Sequence, residues 1–106
     1  MKKLVQSALE NPKITIVEGG GCPCMAGMIQ AVVELSADIT NAMPRISQLI
    51  EGCVYNPEIN IMGFRAKGMG VVVEANKITI NMAKDVATAK DVIDWIKSVN
   101  NGNEML

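Results

Sequence analysis

The sequence predicts an α+β domain: an antiparallel sheet of about four to six strands with helices packed on one face. Three observations carry that reading. The chain has 106 residues, room for a single hydrophobic core, so residues 1–106 are read as one domain. Its middle breaks into short β-rich runs separated by turn residues. Its last long stretch repeats apolar residues at helical spacing.

Leu4, Val5, Ala8 and Leu9 form an apolar stripe that Asn11-Pro12 stops, which predicts a short opening helix over 3–10. Residues 13–17 alternate as a strand and run into Glu18-Gly19-Gly20-Gly21-Cys22-Pro23-Cys24, which no regular element can contain. In 28–35, Ile29, Ala31, Val33 and Leu35 share one side, and Gln30 and Glu34 the other. That is a strand, with a helix as the rival reading. Ser36 or Asp38 can cap the stripe Ile39, Ala42, Met43, Ile46, Leu49, Ile50. Proline is tolerated in a first helical turn and not in an interior, so the main helix starts near Pro44 and ends at Glu51-Gly52.

From Cys53 the chain reads as an antiparallel meander: 53–55, a turn at Asn56-Pro57-Glu58, 59–64, a turn at Lys67-Gly68, 70–74, a turn at Asn76, and 78–82. Ala89, Val92, Ile93, Ile96 and Val99 then line one face of a closing helix. Asp85 or Thr88 stands at its start and Asn101-Gly102 at its end.

The core is aliphatic, since the chain holds one Phe, one Tyr and one Trp beside eight Met. A formal net charge of −1 supplies no field for nucleic acid or an anionic membrane surface, and neither is expected as a partner. No run approaches the ~20 apolar residues of a membrane span, and the start lacks a signal-peptide pattern. A cytoplasmic setting is expected, where the three cysteines act as thiols, ligands or redox groups rather than disulfides.

Cys22-Pro23-Cys24, behind Gly19, Gly20 and Gly21, is the densest reactive feature. Glycines can turn successive N–H groups into one concavity that holds an anion or bonds thiolate sulfur, and such donors lower a thiol pKa. One residue between the cysteines lets both sulfurs reach one metal or cluster, whereas pairing them directly would be strained. Cys53 supplies a third ligand if its strand begins near this loop. Three thiolates fall one short of a usual zinc or cubane site. The chain has no histidine, so a fourth ligand would be Glu18, solvent, substrate or a neighbouring chain. The plain structural reading makes the glycines a connection, Cys24 and Cys53 small hydrophobes, and Cys22 incidental.

No phosphate-loop or dinucleotide signature accompanies the glycines, and the lack of histidine removes the commonest nucleophile pairs. An enzyme would have to work through thiols or carboxylates, and a non-enzyme is the favoured reading. Asp85, Asp91 and Asp94 with Lys84, Lys90 and Lys97 read as a solvated helix face. Trp95 is half-buried or anchors a partner. The methionines near turns default to core packing and would need covering if exposed together.

Across 37–99, several features recur together: Ala37-Asp38-Ile39 before a helix, Met43-Pro44 inside it, and Glu51-Gly52-Cys53-Val54-Tyr55-Asn56-Pro57 after it. Hairpin segments ending in Lys77-Ile78-Thr79-Ile80 and an acid-capped helix complete the pattern. It resembles the N-terminal α+β module of iron–sulfur proteins of anaerobic bacteria and archaea. In that family the module precedes a four-cysteine cluster domain of the kind found in corrinoid iron–sulfur proteins. The C-x-x-C-x-x-x-x-C segment is absent from this chain, so cluster binding does not carry over by motif. The resemblance implies the fold, an anaerobic setting and a protein partner holding an iron–sulfur cluster or corrinoid.

Three functions stay open. The first is an accessory or interaction module of such a system, binding through its sheet or its methionine-rich turns. The second is a protein that itself holds an iron–sulfur cluster or soft metal through Cys22, Cys24 and Cys53. The third is a thiol redox or sulfur carrier using Cys22 or Cys24. An unprotected edge strand in the meander makes a homodimer an expectation as well.

Overall fold

Side chains along a strand point alternately to its two faces, and here one face of every strand is far more apolar than the other. The computed structural model describes residues 2–18 and 29–102. Its elements are α1 (Lys2–Ala8), β1 (Lys13–Glu18), β2 (Ile29–Glu34), a 3-10 turn (Thr40–Ala42) leading into α2 (Met43–Leu49), β3 (Val54–Asn56), β4 (Ile61–Ala66), β5 (Met69–Val73), β6 (Lys77–Asn81) and α3 (Val86–Asn101). The strands form one six-stranded sheet in the order β1-β2-β6-β5-β4-β3, antiparallel throughout. The expected α+β architecture and meander are therefore present, and the strand expected over 28–35 is Ile29–Glu34 among the described residues.

The order follows from one long connection. After the β1–β2 hairpin the chain passes through α2 to the far edge, lays down β3, and returns strand by strand until β6 closes against β2. Register then aligns apolar residues into rows across the inner face. Ile14, Val33, Ile78, Val73, Met62 and Tyr55 form one, and Ile16, Ala31, Ile80, Val71 and Phe64 the next. Val33, Ile78, Ile80, Val71, Val73 and Met62 are fully buried there, each contributing roughly 1.5–3 kcal/mol of transfer free energy. α1 and α2 both pack against α3, α3 touches β1 and α2 touches β3, so all three helices cover this one face.

Local chemistry sets the helix ends. Asp85 caps α3, accepting from the Thr88 N–H at 2.7 Å and the Thr88 hydroxyl at 2.6 Å. Gly102 ends it with φ +79, a left-handed conformation open to glycine at little cost. Pro44 occupies the first turn of α2, and Asp38, the upstream polar residue, accepts from the Thr40 N–H at 2.7 Å. Lys67 and Gly68, with φ +51 and +80, make the tight turn between β4 and β5.

Where the three helices meet, Asn100 is the buried polar side chain among the described residues. Arg45 of α2 donates to its side-chain oxygen, and to its backbone carbonyl at 3.3 Å. The Asn100 amide donates to Gln6 of α1 at 3.5 Å. This clasp joins all three helices and sets a cation beside the last carbonyls of α3, where the helix dipole favours it. Met43, Met62 and Met69 are buried gap-fillers, so the methionine-rich turns do not form a joint exposed patch among the described residues. None of the described helices is long and apolar enough to cross a membrane.

Candidate functional site

Of the sequence-predicted ligands, Cys53 falls within the described residues. Gly19, Gly20, Gly21, Cys22 and Cys24 lie outside the described residues, between Glu18 at the end of β1 and Ile29 at the start of β2. Cys53 immediately precedes β3. Both places are at the same end of the sheet, because β3 runs in the same direction as β2. They are nonetheless at opposite edges. Four strand spacings separate β2 from β3, roughly 19 Å. The expectation that Cys53 joins Cys22 and Cys24 falls on residues outside the described ones; among the described residues, Cys53 stands four strands from β2, which follows the cysteine-bearing segment.

Cys53 is half-buried against the core, and burial pushes its thiol pKa up from the ordinary value. A thiol with less thiolate is a weaker nucleophile and a weaker ligand. Among the described residues no group of three His, Cys, Asp or Glu side chains stands where it could hold a metal ion.

Met82 is a residue that composition alone does not single out. It is 60% exposed, adopts φ +75, and its N–H donates to the Ile29 carbonyl at 2.7 Å, at the root of the cysteine-bearing loop. A left-handed methionine is uncommon, and its thioether is a soft donor. The signal that could have found it is the Asn81-Met82 dipeptide at the strand's end, where a turn must begin.

Trp95 is half-buried, its ring 5.8 Å from that of Phe64 and tilted by 41°. Asp91, Asp94, Lys84 and Lys90 are exposed, as a solvated helix face requires. A groove of 490 Å³ runs between α3 and β1, walled by Leu9, Ile14 and Ile93 and edged by Lys90, Asp94 and Lys97. Its lining carries no paired carboxylates and no thiol.

The outer face of the sheet is the larger feature. No described helix covers it, and register again forms rows. Thr15, Val32, Thr79, Val72, Gly63 and Val54 cross its middle, all small or β-branched. Val17, Gln30, Asn81, Gly70 and Arg65 cross one end, where the Gln30 amide donates to Asn81 at 2.6 Å. A Cβ on Gly70 would sit 3.5 Å from the Asn81 amide, in ordinary van der Waals contact with this pair. Val54 is 74% and the nearby Ile59 60% exposed, at the β3 edge. Sequence alternation could show that each strand has a second face, but not that no described helix folds over it.

Fold and surface together define a class: a two-layer α+β protein with one sheet face that no described helix covers and, among its described residues, no catalytic constellation. Beyond that class, no protein-family model, curated protein or solved structure matches the chain.

Proposed function

We propose that this protein is a non-enzymatic interaction module whose working surface is the outer face of its sheet, which no described helix covers. The observation that carries the reading is the contrast between six strands fully backed by helices on one side and an open side bearing Val17, Val32, Val54, Val72 and Ile61. Apolar side chains left in water along a β edge favour pairing with another chain. The partner implied by the family resemblance is a protein holding an iron–sulfur cluster or corrinoid in an anaerobic, cytoplasmic system. The test is anaerobic capture with the tagged chain and with Val54→Asp. The expected result is a captured protein carrying acid-labile sulfide or cobalt, lost in the variant. Capture unaffected by Val54→Asp overturns the reading.

A second reading keeps Cys22 and Cys24 as ligands to a soft metal or an iron–sulfur cluster, and Met82 favours it. Its exposed thioether stands beside Ile29 at the loop's root and is a further soft donor. A thiol redox role would likewise fall to Cys22 or Cys24, since burial suppresses the Cys53 thiolate. Metal and sulfide analysis of anaerobically prepared protein separates these readings. Stoichiometric metal that is lost in a triple Cys→Ser variant supports ligation, and metal retained in that variant defeats it.

A further inference from the structure

The third row of the outer face opens with four charges, before Ile61 and Asn56 continue it on β4 and β3. Register sets Lys13 opposite Glu34 and Glu34 opposite Lys77, and Glu74 follows beside Lys77 with its N–H bonded to the Lys77 carbonyl. All four point outward, because each neighbours a residue whose side chain faces the helices. The row reads positive, negative, positive, negative across β1, β2, β6 and the end of β5. Within the chain these groups make two loose ion pairs, Lys13 to Glu34 at 3.8 Å and Lys77 to Glu74 at 3.6 Å, and all four side chains remain substantially exposed.

An alternating row of even length is its own complement when its order is reversed. A two-fold axis parallel to the strands, lying over the outer face between β2 and β6, performs that reversal. It sets Lys13 against the second copy's Glu74 and Glu34 against its Lys77, giving four unlike contacts in all. The same operation matches the remaining rows. Thr15 meets Val72 and Val32 meets Thr79, small β-branched side chains suited to the ~10 Å spacing of stacked sheets. Gln30 meets Asn81, and Val17 meets Gly70, whose missing side chain leaves it room.

We infer that the outer face associates with a second copy of this chain through this two-fold arrangement. The inference rests on the outer face being the working surface and names one occupant for it. Net charge of −1 per copy opposes the approach only weakly. Four strands of overlap, about 19 Å by about 17 Å, correspond to a small interface, so the dimer is weak and exchanging. Because exposed charges are screened, it loosens as salt rises. β4 and β3, with Val54, overhang the pair and remain open to a different protein.

Sedimentation velocity on the full chain tests this, across the micromolar to millimolar range. Wild type should shift from monomer to dimer with concentration. Glu34→Lys with Glu74→Lys makes the row wholly positive, and Lys13→Glu with Lys77→Glu makes it wholly negative. Each should be folded by circular dichroism and monomeric, and an equimolar mixture should recover the dimer. Recovery on mixing also shows that neither variant failed for lack of folding. A monomeric wild type, variants that still self-associate, or a mixture that stays monomeric overturns the inference. Dilution-dependent NMR shifts tell the two levels apart. A dimer that moves helix-side resonances instead of Thr15, Val32, Val72 and Thr79 overturns the working-surface reading too. A wild type without dilution shifts removes only the self-association.

Discussion

The same strands present two chemically different surfaces, and the difference teaches where this protein spends its apolar residues. On the inner face Ile78, Ile80, Val71 and Val73 meet α1, α2 and α3 through packed side chains. On the outer face, Thr79 and Val72 sit one residue away along the chain, in a row with Thr15 and Val32, and no described helix lies over them. Stability should therefore track the inner set and association the outer one.

The largest test of that division is Ile80→Ala, which empties a fully buried site and should cost about 2–5 kcal/mol in urea unfolding. A cost near zero would mean that the two faces are not distinct. Next comes Asn100→Ala, which removes the clasp's side-chain bonds to Arg45 and Gln6, while Arg45 keeps its bond to the backbone carbonyl of residue 100. It should cost about 1–3 kcal/mol, measured the same way. Gly68→Ala sharpens the comparison at a turn, since φ +80 disfavours any side chain. About 1 kcal/mol is expected, with little change in association. Val32→Thr on the outer face should stay within about 0.5 kcal/mol in unfolding while altering self-association in sedimentation.

The smallest effect is on pH. Hydrogen bonds from the Thr88 hydroxyl, and secondarily from its N–H, hold the Asp85 carboxyl below its ordinary pKa; Thr40 does the same for Asp38. A carboxylate lowered in the folded state contributes stability above its unfolded pKa, about 3.9, and loses it as pH falls through the lower folded value. Thermal melts should thus be flat in this respect near neutrality and decline below about pH 4. Asp85→Asn, which keeps a capping oxygen but no charge, should flatten part of that decline.

Elements with local signatures were legible in the sequence. Asp85 and Gly102 bracket α3, Pro44 marks the first turn of α2, and Lys67-Gly68 makes its hairpin turn because each depends on neighbours in the chain. Strand order was not legible. The pairing of β2 with β6 joins residues more than forty positions apart, such as Val33 and Ile78, and no local pattern encodes it. That same pairing sends β3 and Cys53 to the far edge, away from the roots of the loop bearing Cys22 and Cys24. Asn100 was a readable clue that went unused. It falls four residues after Ile96 on the apolar stripe, where a polar group needs partners from other helices.

The insertion of β6 between the hairpin and the meander also orders the protein's birth. While a ribosome is still emitting residues before Lys77, β2 and β5 each hold an unsatisfied row of backbone donors and acceptors, with no strand to join them. The sheet becomes continuous only when β6 arrives, so its assembly waits on that strand. A nascent chain stalled near Ala75 would be the form most in need of a chaperone.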